Sequence, residues 1–243
     1  MRSSGSRLLL QALLVAIAAT QPARAQETRV ELESGGWQLA GDLLLPTGDG
    51  PHPTVLLLHK AAGNRTAFRD LAVHLAARGV ASLRLDLRAH GESTNLGEFL
   101  PDEDMETLEL LTGSDADVAA AITYLRSHLR IDGERIGVVG SSYSGEVMAE
   151  AARRTEYVQA YVALSPGSFS EGSMDAVDSS GAQWLFVSSR EDRHLLWLVA
   201  ELEARSKTAE IIVIAGSAHA TDILEARPDI TERVAIWLAY QLQ

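Results

Sequence analysis

The chain alternates between two hydrophobic periods, and this alternation limits the possible folds more than any other feature. Thr54–Leu58, Ile136–Val139, Ala160–Leu164, Trp184–Val187 and Glu210–Ile214 are short, nearly unbroken apolar runs. A run of strand length without polar alternation implies a strand covered on both faces. Val80–Leu87 is read as another strand. Helical stripes lie between these runs. Phe68, Leu71, Ala72, Leu75 and Ala76 form one stripe, closed by Gly79. Val118, Ile122, Leu125 and Leu129 form a second, with Ser114 and Asp117 spaced as a capping box. Further helices are predicted over about 145–154, 195–204 and 229–240, the last with Pro228 near its start. Strands alternating with helices predict a mostly parallel sheet with helices on both faces, an α/β fold. Two alternating stretches precede it, Arg29–Glu33 and Trp37–Leu45, and Gly35-Gly36 between them predicts an antiparallel hairpin.

Residues 1–25 stand apart. Arg2 and Arg7 precede an apolar stretch from Leu8 to about Ala19, and Ala23-Arg24-Ala25 follows just before Gln26. Basic start, short apolar centre and A-x-A end form the pattern of a secretory signal cleaved near Ala25, so a periplasmic or secreted protein is expected. The apolar stretch is short for a membrane span, which needs roughly 20 residues; an uncleaved anchor is the other reading. Residues 26–243 then form a single domain, since no repeat or low-complexity linker divides them. The chain has no cysteine, which excludes disulfides and lipid attachment at cysteine. Its formal charge is −12, and −15 once Arg2, Arg7 and Arg24 are removed. So acidic a chain is not expected to bind nucleic acid, where basic groups must displace counterions from phosphate.

Ligands of open α/β sheets bind at the carboxyl ends of strands, so residues directly after strands are the candidates for chemistry. After Ile136–Val139 comes Gly140-Ser141-Ser142-Tyr143-Ser144-Gly145. It resembles the G-x-S-x-G nucleophile elbow of the α/β-hydrolase family, a sharp strand-to-helix turn that presents a serine above the sheet. The resemblance implies Ser142 as nucleophile. Ser144 stands where the second glycine is usual, which leaves a competing register with Ser144 as nucleophile. The family places its acid after the strand that here is Trp184–Val187, which implies Asp192, with Glu191 as runner-up. Its histidine follows the last strand, which implies His219. The chain order Ser, Asp, His is the order this family uses.

Two more segments are similar. Leu58-His59-Lys60-Ala61-Ala62-Gly63 stands where the family carries an H-G-type oxyanion loop, with Lys60 in place of glycine. This implies the main-chain N–H groups of Ala61 and Tyr143 as oxyanion donors. Lys60 either faces the pocket, to meet an anionic substrate group, or is a plain surface lysine. Asp86-Leu87-Arg88-Ala89-His90-Gly91-Glu92-Ser93 resembles the family's D-x-R-G-H-G-x-S turn, with Ala89 for glycine, and His90 is read as structural. His90 and Glu92 alone are too few ligands for a metal site. His52, His74 and His128 are read as loop or helix-surface residues, and His194, close to Asp192, as a candidate pocket residue.

The resemblance spans nearly the whole chain after residue 25 and is nearest to small dienelactone-hydrolase-like esterases. It implies an α/β-hydrolase fold without a large cap domain, because the chain between Leu164 and Trp184 is short. The acidic stretch Glu92–Thr112 is either a partial cover or a solvated loop. The implied activity is hydrolysis of a small ester or lactone through an acyl-enzyme, without metal or organic cofactor. A serine peptidase or amidase with the same triad, or a silent binding module on the same fold, remain as alternatives.

Overall fold

In a computed structural model, residues 25–101, 105–154, 158–206 and 208–243 are described. The signal-like segment up to Arg24 lies outside them, as does the side chain of His194. Strands β1 (Gln26–Ser34) and β2 (Trp37–Leu45) form the expected hairpin. Gly35 and Gly36 both have positive φ, 57° and 88°, as tight hairpin turns of primed type require. Strand β3 (His52–Leu58) follows, then helix α1 (Arg69–Ala76), entered through a 3-10 turn at Arg65–Phe68. His52 therefore opens a strand and is buried, where a loop residue was expected. Next come β4 (Ala81–Leu85), a short helix α2 (Met105–Glu109), α3 (Ser114–Ser127), β5 (Ile131–Ser141) and α4 (Tyr143–Ala152). The chain continues through β6 (Ala160–Leu164), α5 (Glu171–Ser179), β7 (Gln183–Ser189) and α6 (Arg193–Arg205). It ends with β8 (Ala209–Ile214), α7 (Asp222–Ala226) and α8 (Pro228–Gln241).

The eight strands form one sheet in the order β1-β2-β4-β3-β5-β6-β7-β8. From β4 onward every neighbouring pair is parallel, and β1 and β2 run antiparallel at one edge. Alternate strand residues feed two cores, which is why the runs lack polar alternation. Leu56, Leu58, Val138, Tyr161, Ala163, Trp184 and Phe186 pack with α3, α4, α5 and α6. Val55, Leu57, Val139, Val162, Leu164, Leu185 and Val187 pack with α1, α7 and α8.

Several local expectations change. The strand predicted to reach Leu87 ends at Leu85, because Asp86 turns away to bind the 3-10 segment. Leu129 is 97% exposed, outside α3, and takes no part in its stripe. Ser114 and Asp117 do not form a capping box. Gly113, with φ 80°, precedes the helix, Ser114 Oγ donates to the Leu111 carbonyl, and Asp117 is taken by Arg88. Helices α5 and α7 were not legible in the sequence. The first has only three apolar residues, Met174, Ala176 and Val177, and the second is only five residues long.

The topology fixes where chemistry can occur. β3 lies between β4 and β5, so the chain leaves it first toward one sheet edge and later toward the other. Loops after β3 and β5 therefore separate at their carboxyl ends and open the crevice where such sheets bind ligands.

Candidate active site

The turn after β5 is built by small residues under close contact. A Cβ on Gly140 would lie 2.6 Å from the Ser144 carbonyl oxygen and 2.8 Å from Met148 Sδ, so only glycine fits. Ser142 follows with φ 53° and ψ −118°, a conformation costly for a residue with a Cβ. Its neighbours hold it there: Ser142 N–H donates to the Leu164 carbonyl at 2.9 Å, and its own carbonyl accepts from Gly145 N–H and Gly167 N–H at 3.0 and 3.2 Å. Strain is shared along the same edge. Ala62, Ala89, Ser165 and Ala220 also have positive φ, and each follows a parallel strand. Such strain concentrates at functional sites, where surrounding contacts over-determine the backbone.

Ser142 Oγ lies 2.9 Å from His219 Nε2, and His219 Nδ1 lies 2.8 Å from Asp192 Oδ2. The three side chains come from the loops after β5, β8 and β7. Asp192 is mostly buried and His219 partly exposed. Glu191, the runner-up acid, is exposed, and its main-chain N–H donates to the Gly216 carbonyl. The His219 loop is pinned by Ser189, whose hydroxyl donates to the Ala218 carbonyl at 2.5 Å. No sequence signal marks Ser189, because its role depends on which loop lies beside it.

Ser144, the serine of the competing register, has no hydrogen bond to His219 or Asp192 among the described residues. Ser144 is fully buried; its hydroxyl accepts from Ser141 N–H at 2.7 Å and donates to the Leu58 carbonyl at 2.9 Å. Its hydroxyl thus ties the elbow to the end of β3. Gly145 keeps the small-residue requirement, since a Cβ there would approach Pro166 to 3.3 Å.

The loop after β3 is a four-residue turn from Lys60 to Gly63, closed by Gly63 N–H to the Lys60 carbonyl at 3.0 Å. Ala62, its third residue, has φ 56°. The Ala61 N–H has no hydrogen-bond partner among the described residues. Tyr143 N–H is the first of α4 and, as at any helix start, lacks an intrahelical acceptor. Lys60 Nζ binds both carboxylate oxygens of Asp222, at 2.6 and 2.7 Å, and so joins this turn to the segment just after His219.

His59 supports the turn from below. It is fully buried, its Nδ1 lies 2.8 Å from the Lys60 carbonyl, and its Nε2 accepts from Leu87 N–H at 3.1 Å. That pattern fits the neutral ring with its proton on Nδ1. Burial, and then the neighbouring His90, push its pKa down to about 4. His90 is buried beside it, 4.8 Å between ring centroids, and packs on Phe99 and Tyr143. Burial lowers its pKa too. The reading of His90 as structural matches this packing. The motif around it is an ion-pair frame. Asp86, fully buried, accepts from Arg65 N–H, the Arg65 guanidinium and Glu92 N–H. Arg88 clamps the buried Asp117 at 2.6 and 2.9 Å.

Two negative observations bear on the site. Among the described residues no three His, Asp or Glu side chains are placed to hold a metal ion, and no helix is long and apolar enough to cross a membrane. A cleft of about 610 Å³ lies at the amino ends of the strands among Pro53, Val80, Arg135 and Tyr240. No serine, histidine or carboxylate side chain lines it, so the chemistry-bearing residues are at the other end of the sheet.

These features define a class, and sequence comparison states it directly. Residues 53–196, more than half of the chain, match the α/β-hydrolase fold family. The chain belongs to that family. It is 24% identical over 207 residues to a probable 2-oxo-3-(5-oxofuran-2-ylidene)propanoate lactonase of Bradyrhizobium sp, covering 79% of this chain and 82% of that one. It is 28% identical over 126 residues to esterase EstD of Thermotoga maritima, covering 49% of this chain but only 28% of that longer protein. Among solved structures, dienelactone hydrolase from Anabaena variabilis superposes with a TM-score of 0.71 at 20% identity, over 91% of this chain and all of that one. Among the described residues no large cap interrupts the sheet connections, as the sequence implied.

Proposed function

We propose that the protein is a serine hydrolase of small carboxylic esters or lactones. Its family and its lactonase and esterase relatives support a hydrolytic enzyme. The observation that carries the finer reading is the continuous hydrogen-bonded path Ser142 Oγ to His219 Nε2 and His219 Nδ1 to Asp192 Oδ2. Ser142 Oγ attacks the substrate carbonyl carbon while His219 Nε2 takes its proton. Asp192 holds the imidazole in the tautomer with Nδ1 protonated and stabilises the imidazolium that forms. The negative oxygen of the tetrahedral intermediate accepts from the main-chain N–H of Ala61 and Tyr143. The imidazolium then protonates the departing alkoxide, leaving Ser142 acylated. Water, deprotonated by His219, releases the acid and restores the hydroxyl. Lys60 enters as a rim cation, shared between Asp222 and an anionic group on the substrate. Export with cleavage after Ala25 is part of the proposal, supported by the basic start, short apolar stretch and Ala23-Arg24-Ala25 of the sequence.

The test combines turnover and labelling. Protein starting at Gln26 should hydrolyse short-chain aryl esters and carry a fluorophosphonate on Ser142 by peptide mass spectrometry. Ser142→Ala should lose turnover by at least about a thousandfold. Cleavage of anilides at rates comparable to esters would favour an amidase. Absence of both labelling and hydrolysis would leave a silent binding module as the better reading.

A further inference from the structure

Gly167, three residues past β6, has no structural reason to be glycine. Its φ is not in the left-handed region, where a side chain would be strained. A Cβ built on it would touch nothing closer than 3.6 Å, which is ordinary contact. Gly140 and Gly91 behave differently: a Cβ there would approach neighbours to 2.6 and 2.2 Å. Glycine also weakens a fold where alanine is tolerated, because the unfolded chain gains freedom. Neither backbone conformation nor packing therefore explains residue 167.

What surrounds the missing side chain does. The nearest atoms to that Cβ are Ser142 C and Oγ, both at 3.6 Å, and Tyr143 N at 3.7 Å. None of the three belongs to His219, and Gly167 is itself exposed. Gly167 N–H also donates to the Ser142 carbonyl at 3.2 Å, which fixes its distance from the nucleophile. A carbon bonded to Ser142 Oγ has three other substituents. The oxyanion turns toward the Ala61 and Tyr143 donors, and the leaving oxygen turns toward His219. The acyl substituent takes the remaining direction, over Gly167.

We infer that Gly167 is a specificity-determining residue: its bare Cα is the acyl-side wall of the site and admits substrates substituted or ring-bonded at the carbon next to the carbonyl. The inference rests on Ser142 being the nucleophile. A substituted lactone or an α-branched ester belongs to the substrate class so defined, and a side chain at 167 would occupy the volume of the α-substituent. An acetyl group, with only hydrogens there, would still fit.

The experiment compares wild type, Gly167→Ala and Gly167→Val on 4-nitrophenyl acetate and 4-nitrophenyl isobutyrate, with fluorophosphonate labelling and thermal unfolding alongside. Wild type should accept both esters. Both variants should fold, and Gly167→Ala should melt no lower than wild type. In Gly167→Val, kcat/KM on isobutyrate should fall about 10- to 200-fold relative to acetate, the range that one hydrocarbon unit of pocket space commands. Gly167→Ala should show the same preference, more weakly. Three results would overturn the inference: wild type that labels at Ser142 but rejects isobutyrate, an ester ratio unchanged in both variants (an equal loss on both esters included), or a Gly167→Ala protein that does not fold. Equal loss would mean crowding of the oxyanion. Wild type that does not label at all would reject the nucleophile assignment instead.

Discussion

Acidification should destabilise the protein through His59, and the size of the effect follows from its surroundings. The ring is fully buried and holds two main-chain groups, the Lys60 carbonyl and Leu87 N–H. Protonating Nε2 would remove the acceptor of the second bond and place a charge in the core beside His90. Its pKa is accordingly about 4 in the fold, against 6.5 when unperturbed. The unfolded chain binds the proton first, so stability is fully present above pH 6.5 and is lost as pH falls toward 4. At roughly 1.4 kcal/mol per pH unit, the whole interval is worth about 3.5 kcal/mol, and about 2.5 kcal/mol is gone by pH 4.5. The assay is urea unfolding at fixed ionic strength from pH 7.5 to 4.5, on wild type and His59→Gln. The variant loses stability at neutral pH through its altered hydrogen bonds, but only the slope matters. Wild type should fall more steeply than the variant between pH 6.5 and 4.5, by about 2 to 3 kcal/mol over the interval. Parallel curves would refute the argument, because His59 would then titrate alike folded and unfolded.

Two further outcomes test the elbow and the turn beside it. Ser144→Ala removes a side-chain acceptor of Ser141 N–H and a donor to the Leu58 carbonyl, so it should cost about 1–3 kcal/mol in chemical denaturation while the fluorophosphonate still finds Ser142. Label on residue 142 lost together with that hydroxyl would reopen the register question. Ala62→Gly should raise stability by up to about 1 kcal/mol, since Ala62 is exposed and its φ of 56° at the third turn position suits glycine. A lower melting temperature would show that the turn is held by contacts of the Ala62 methyl instead.

Much of the fold was legible because its constraints are one-dimensional. Unbroken apolar runs of strand length can be satisfied only by a sheet covered on both faces, and the runs at Thr54, Ile136, Ala160 and Trp184 all became interior parallel strands. Small residues around Ser142, and the order Ser, Asp, His, each following a strand, were visible in the same way. Misreadings arose where a residue's partner lies far along the chain. Asp117 has the spacing of a cap but is bound by Arg88, and Leu129 has the spacing of a stripe but falls beyond the helix end. Whether a polar residue points outward or into a neighbour is set by elements that arrive later in sequence. Thus Ser142 and Ser144 look equivalent as letters, yet one meets His219 and the other is buried against Leu58. Asp192 and Glu191 are separated likewise by the loop that carries His219. Periodicity specified which segments must be buried and hence the sheet. Only the packed molecule decided which side chains meet, because hydrogen bonds and close contacts depend on distances that spacing along a chain does not contain.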